Sequence, residues 1–157
     1  MKDGGVVKPK CVVALGLPSD MIDTLGDAYD VAAWPESQPM PEAELQDWLA
    51  DADGLLCALS TPINAALLEN APRLQVISTI SVGVDHIDIT AATRLGIPVG
   101  HTPGVLVDST ADLALGLMLA ITRRMAEADR WIRAGNWAQG WQSDPVSYTH
   151  LRAHETS

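Results

Sequence analysis

The chain has 157 residues, enough for one compact α/β domain or a small domain with part of another. Its apolar fraction of 47% is that of a globular protein, not of a disordered one. The formal net charge is −10, and residues 1–60 hold 11 acids against 3 lysines. That balance argues against nucleic acid or an anionic membrane as partner, since both require a clustered positive surface.

Cys11 and Cys57 sit inside apolar runs (CVVAL and GLLCAL) and read as buried, reduced thiols in strands rather than as a disulfide pair. No N-terminal segment joins a basic head to an apolar stretch and a small-residue cleavage site. The longest apolar run, Leu113–Ile121, is far too short for a membrane span. A soluble cytoplasmic protein is the expectation.

Short β-like runs alternate with amphipathic stretches. Cys11–Leu15 is an apolar run ending at Gly16, and Pro18-Ser19-Asp20 then opens a helix stopped by Gly26. Tyr29–Ala33 reads as a strand, Glu42–Leu49 as a helix after Pro41, and Gly54–Leu59 as a third strand. Thr61-Pro62 looks like a cap with proline in the first helical position, and Ile63, Leu67 and Leu68 face inward. Leu74–Thr79 and Ile97–Gly100 complete five strands, with a helix over Ile87–Leu95 ended by Gly96. This alternation implies a parallel sheet with helices on both faces.

Residues 105–133 read as one long helix closed by Gly135. Between Leu113 and Ile121 every side chain is apolar or glycine, so this helix has no polar face there and needs cover on all sides. A second domain or a second subunit would supply it. Beyond Gly140 the periodicity stops.

The stretch STISVGVDHIDITAATRLGIPVGHTPGVLVDST carries the chemistry. Ser81-Val82-Gly83-Val84-Asp85 follows a strand at its C-terminal end, where open α/β sheets bind ligands. A glycine there lets backbone N–H groups approach an anion, and consecutive N–H groups form a nest suited to a carboxylate or phosphate. A plain strand-to-helix turn is the alternative. His86 and Asp88, a histidine beside two acids at a helix start, read as capping and surface chemistry.

VISTISVGVDHIDITAATRLGIPVGHTPGVLVDSTADLALGLMLAITRR resembles the D-isomer-specific 2-hydroxyacid dehydrogenases, and most of all their glyoxylate/hydroxypyruvate reductase branch. The resemblance covers about residues 10–142, with ISVGVDHID, RLGIPVGHTPGVLVD and WIRAGNW as its specific parts. It implies an α/β chain: a flavodoxin-like parallel-sheet substrate domain over 1–101, then the truncated start of a Rossmann cofactor domain with its first long helix and dimerisation arm over 102–142. Residues 143–157 look foreign, like a translated read-through, and are expected to be unstructured.

The resemblance further implies reduction of 2-keto acids such as glyoxylate and hydroxypyruvate with NADH or NADPH, the cofactor being NAD or NADP. The N–H groups of Val82 and Gly83, with Ser81 beside them, would hold the substrate carboxylate, and Ala58-Leu59-Ser60 would form another wall. His101-Thr102-Pro103-Gly104 would be the first crossing between domains. Val107 and Thr110 would lie near the nicotinamide. The 105–133 helix would build a homodimer, and Trp137 or Trp141 would reach the partner's active site or pack the arm.

The family's G-x-G-x-x-G phosphate turn is missing, as are its arginine, acid and catalytic histidine, so no catalytic residue is assigned. His86 and His101 do not match the catalytic position. His150, His154 and Glu155 only superficially fit a metal site, and no metal is expected. The chain by itself is expected to be inactive.

Two other classes fit the sequence less well. A phospho-receiver needs an acid pair after strand one and an acceptor Asp after strand three. Those positions read Gly16-Leu17-Pro18 and Cys57-Ala58-Leu59, and the receiver fails. A non-catalytic flavodoxin-like binding or subunit-interaction module remains the alternative.

Overall fold

A computed structural model of the chain describes residues 7–137. They fall into two compact units that part between Val105 and Leu106.

The first unit is a five-stranded sheet in the order β2-β1-β3-β4-β5, with every neighbouring pair parallel. The strands are β1 (Lys10–Val13), β2 (Asp30–Ala33), β3 (Gly54–Cys57), β4 (Val76–Thr79) and β5 (Val99–Gly100). The helices between them are α1 (Ser19–Gly26), α2 (Glu42–Leu49), α3 (Ala65–Glu69) and α4 (Ile89–Leu95). The expected five parallel strands are therefore present, each one or more residues shorter than the sequence pattern suggested.

The chain steps outward from β1 to β2 and back across to β3. Right-handed crossovers then put α1 on one face and α2, α3 and α4 on the other. Alternation along the strands agrees with this. Val12, Leu55, Cys57 and Ile77 join Leu45, Leu49, Leu67 and Ala91 in one buried cluster. The α1 face is thinly covered: α1 buries no residue completely, and Val76 is 44% exposed. There a groove of about 400 Å³ runs past Cys11, Leu25, Tyr29, Leu56 and Val76.

This asymmetry corrects one expectation. Cys57 is buried, but Cys11 lies on the α1 face and is only half-buried; both thiols are free.

The Thr61-Pro62 helix signal resolves differently from the sequence pattern. The cap of α3 is Asn64, whose side chain accepts the N–H of Leu67 at 2.9 Å, and not Thr61. Thr61 is buried, Pro62 is exposed, and Ile63 pairs as a lone bridge with Ile87 before the helix begins. Asp88 caps α4 by accepting the N–H of Ala91 at 2.8 Å, and Gly96 ends it in the left-handed region at φ 72°. β5 is only two residues long and follows Pro98, whose carbonyl accepts the N–H of Ile77.

The second unit corrects the single long helix. It contains α5 (Val107–Thr122) and α6 (Met125–Arg133), broken where Arg124 adopts φ 51°. The guanidinium of Arg124 pairs with Glu127 one turn into α6, a local contact across the break. Along α5, Leu113, Leu115, Leu117, Met118, Leu119 and Ile121 are all exposed. No helix among the described residues is long and apolar enough to cross a membrane.

Candidate functional site: the turn after β4

The C-terminal ends of β3 and β4 lie side by side, joined by the Ile80 N–H donating to Cys57 O at 3.1 Å. Two turns leave from there, 58–61 and 81–85. Leu59 is exposed in the first; in the second, Ser81 is half-buried while Val82 and Gly83 face solvent. Among the described residues, the N–H groups of Val82, Gly83 and Val84 donate to no protein acceptor. Consecutive N–H groups without a protein acceptor, at the carboxyl edge of a parallel sheet, are the kind of donor set that can receive an anion. Gly83 suits the tight path: a Cβ there would come within 3.3 Å of Asp85 Oδ2.

Beneath this turn is a small polar network that the sequence pattern did not reveal. Thr79 points to the core side of β4 and is 1% exposed. Its hydroxyl bonds Ser81 Oγ at 3.1 Å, accepts the Ser81 N–H at 3.3 Å and meets His86 Nε2 at 3.1 Å. Cys57 Sγ lies 3.9 Å from the same nitrogen. His86 is therefore tucked under the turn, contrary to the surface reading, while Asp88 does cap as expected. The available signal was parity: Thr79 shares the buried face with Ile77, and a buried hydroxyl needs partners.

The local electrostatics follow from burial. Desolvation pushes His86 below the usual histidine value, against the opposing pull of the Asp85 carboxylate. Burial pushes the Cys57 thiol up to about 11, only partly offset by a hydrogen bond with Thr79. Cys57 is thus a protonated thiol near neutral pH and no nucleophile. Among the described residues, two buried polar atoms, Thr61 Oγ1 and His86 Nδ1, have no protein partner.

Comparison with known proteins decides the lineage. The family model for the D-isomer specific 2-hydroxyacid dehydrogenase catalytic domain matches residues 11–153. The chain belongs to this family. A glyoxylate reductase of Thermofilum pendens is 45% identical over 141 residues, covering 87% of this chain and 40% of that protein. A glyoxylate reductase of Thermococcus litoralis is 39% identical over 138 residues, covering 86% and 42%. The structure of a D-isomer specific 2-hydroxyacid dehydrogenase from Polaromonas superposes with TM-score 0.77 at 33% identity, over 89% of this chain and 44% of that one. The chain thus spans about two fifths of the length of the curated relatives it matches. Its sheet order is that of the flavodoxin-like class, as the family resemblance implied.

The remaining sequence-derived positions distribute as follows. Val107 and Thr110 stand exposed on the first turn of α5, in the second compact unit. That helix begins without a side-chain cap and carries Asp108 in its first turn. A carboxylate there repels a phosphate, and no glycines of the chain carry the G-x-G-x-x-G spacing. The described residues do not fit the pyrophosphate of a dinucleotide, and no hydride step is assigned to them. Trp137 is half-exposed and stacks edge-on against Trp131 at 6.0 Å, whereas Trp141, His150, His154 and Glu155 lie outside the described residues. Among the described residues, no three His, Cys, Asp or Glu side chains gather to hold a metal.

Proposed function

We propose that the turn after β4 seats the carboxylate of a small 2-keto acid through the N–H groups of Val82 and Gly83, with Ser81 anchored beneath and Leu59 forming the opposite wall. The observation that supports this most is the row of unpaired N–H groups at the carboxyl edge of the sheet. A backbone cradle binds charge without requiring a cationic side chain and pays no reorganisation cost when the ligand arrives.

In this reading the protein is a cytoplasmic, homodimeric reductase of glyoxylate or hydroxypyruvate that uses NAD or NADP. Residues 1–101 form its substrate half and 102–142 begin its cofactor half. Val107 and Thr110 serve the nicotinamide side, and the 105–133 region supplies the subunit contact. When bound, the nicotinamide supplies the hydride. What this chain contributes is the placement of the substrate's acid group, which fixes the carbonyl for attack.

A chimera tests the activity. Residues 1–142 joined to the remainder of the Thermofilum pendens glyoxylate reductase should oxidise NADH or NADPH in the presence of glyoxylate. A chimera that is folded by circular dichroism, yet turns over neither glyoxylate nor hydroxypyruvate with either cofactor, would refute the assignment.

A further inference from the structure

The cradle is held in shape from behind by the two residues that leave β5. Thr102 Oγ1 donates to Ile80 O at 3.0 Å, the Thr102 N–H donates to Ser81 O at 3.1 Å, and His101 Nδ1 lies 2.8 Å from Val82 O. Three successive carbonyls of one turn are thus occupied by one two-residue segment.

A peptide unit is planar, with its C=O and the following N–H pointing in opposite directions. Fixing the carbonyl of Ser81 therefore fixes the N–H of Val82. Fixing the carbonyl of Val82 fixes the N–H of Gly83. These are the two donors assigned to the substrate carboxylate. The plane between Val82 and Gly83 is also the one most prone to turn over, because glycine offers no side chain to resist rotation. His101 holds that plane. Val82 O has no other protein donor among the described residues, so the His101 ring carries its proton on Nδ1 when the contact forms.

We infer that His101 and Thr102 are positioning residues: they strap the 80–82 carbonyls and thereby aim the N–H groups of Val82 and Gly83 at a carboxylate. The inference rests on the carboxylate reading of this turn and adds the residues that orient it. Neither side chain needs to touch the ligand.

The test uses the 157-residue chain labelled with 15N, in spectra suited to a self-associated protein. Sodium glyoxylate is the probe, titrated at constant ionic strength with sodium chloride as control. The amides of Val82 and Gly83 should move saturably. His101→Ala should weaken the apparent affinity about five-fold, the value of one ordinary hydrogen bond. His101→Asn, whose amide can donate in place of the ring, should restore affinity to within about two-fold of the original. Thr102→Val retains its backbone N–H and should weaken binding less than His101→Ala does. Unmoved amides in β1 and β3 establish that each variant is folded. Independently of any ligand, the ring 15N shifts of neutral His101 should show the proton on Nδ1.

Equal glyoxylate affinity in His101→Ala and the parent chain, with Val82 and Gly83 still responding, would overturn the strap and leave the carboxylate reading intact. A neutral ring protonated on Nε2 would also overturn it. Failure of Val82 and Gly83 to respond in the parent chain would remove the carboxylate reading, and the strap's role with it.

Discussion

Replacing Thr79 by valine tests the polar network under the turn. The two side chains have nearly the same volume, so the substitution opens no cavity and removes only the hydroxyl. That hydroxyl bonds Ser81 Oγ, the Ser81 N–H and His86 Nε2, and makes a weaker hydrogen bond with the Cys57 thiol. At roughly 1 kcal/mol net for each hydrogen bond, and with competition from water at the half-buried Ser81, the loss should be about 2 kcal/mol. For a unit of this size that corresponds to a fall of roughly 10 °C in melting temperature. Thr79→Ser keeps the hydroxyl and loses one methyl group, costing about 1 kcal/mol. The measurement is urea unfolding at pH 8, where His86 is neutral, followed by far-ultraviolet circular dichroism. The order parent, Thr79→Ser, Thr79→Val should emerge. A valine variant as stable as the serine variant would show that the hydroxyl contributes nothing and that Ser81 is held by other means.

Further outcomes follow from the same structure. His86 titrates below its unfolded value of 6.5, so the unfolded chain takes up its proton first, and stability present above pH 6.5 falls as the pH drops toward the folded value; His86→Gln should flatten this limb in unfolding curves between about pH 7 and 5. Asp53 accepts the Lys10 N–H and pairs with Arg73, which holds its carboxyl below 3.8, so its contribution is present above that value and lost as the pH falls through the folded one; Asp53→Asn should reduce the acid-limb loss. The exposed apolar surface of α5 predicts self-association, and Leu115→Glu with Met118→Lys should shift sedimentation toward monomer; a parent chain that is monomeric at high concentration would contradict this. The 157-residue chain should oxidise neither NADH nor NADPH with glyoxylate, because it carries no glycine-rich phosphate turn; turnover above a buffer blank would disprove that.

The sheet was legible because its signals are local. Glycine and proline punctuate each strand, Glu42–Leu49 has the bounds read from the sequence, and Gly96 ends α4 with the positive φ that its position suggested. The α3 cap was misread because Thr61-Pro62 and Asn64 both offer start signals, and only the pairing of Ile63 with Ile87 excludes the first. The break at Arg124 has no glycine or proline to announce it, whereas Gly116 stays inside α5. The turn after β4 was visible as a glycine turn after a strand, and its role as a carboxylate cradle is the proposal made above. The strap was not, because His101 and Thr102 bond residues 19 and 22 positions away, and such pairings leave no trace in local spacing.

The brevity of β5 has a consequence for how copies of this chain can meet. A sheet grows by strand addition only along an edge that offers a run of unpaired N–H and C=O groups. One edge here is a two-residue strand preceded by Pro98, which has no N–H to give. The other, β2, begins at Asp30 and runs out at Trp34-Pro35. Both rims are therefore poor templates for edge-to-edge polymerisation, and the exposed apolar surface lies on α5 instead. Helix faces that pair about a two-fold axis satisfy each other and stop. On the homodimeric reading proposed above, the exposed apolar surface of α5 would lead to a closed pair rather than to the fibre that an open sheet edge would favour.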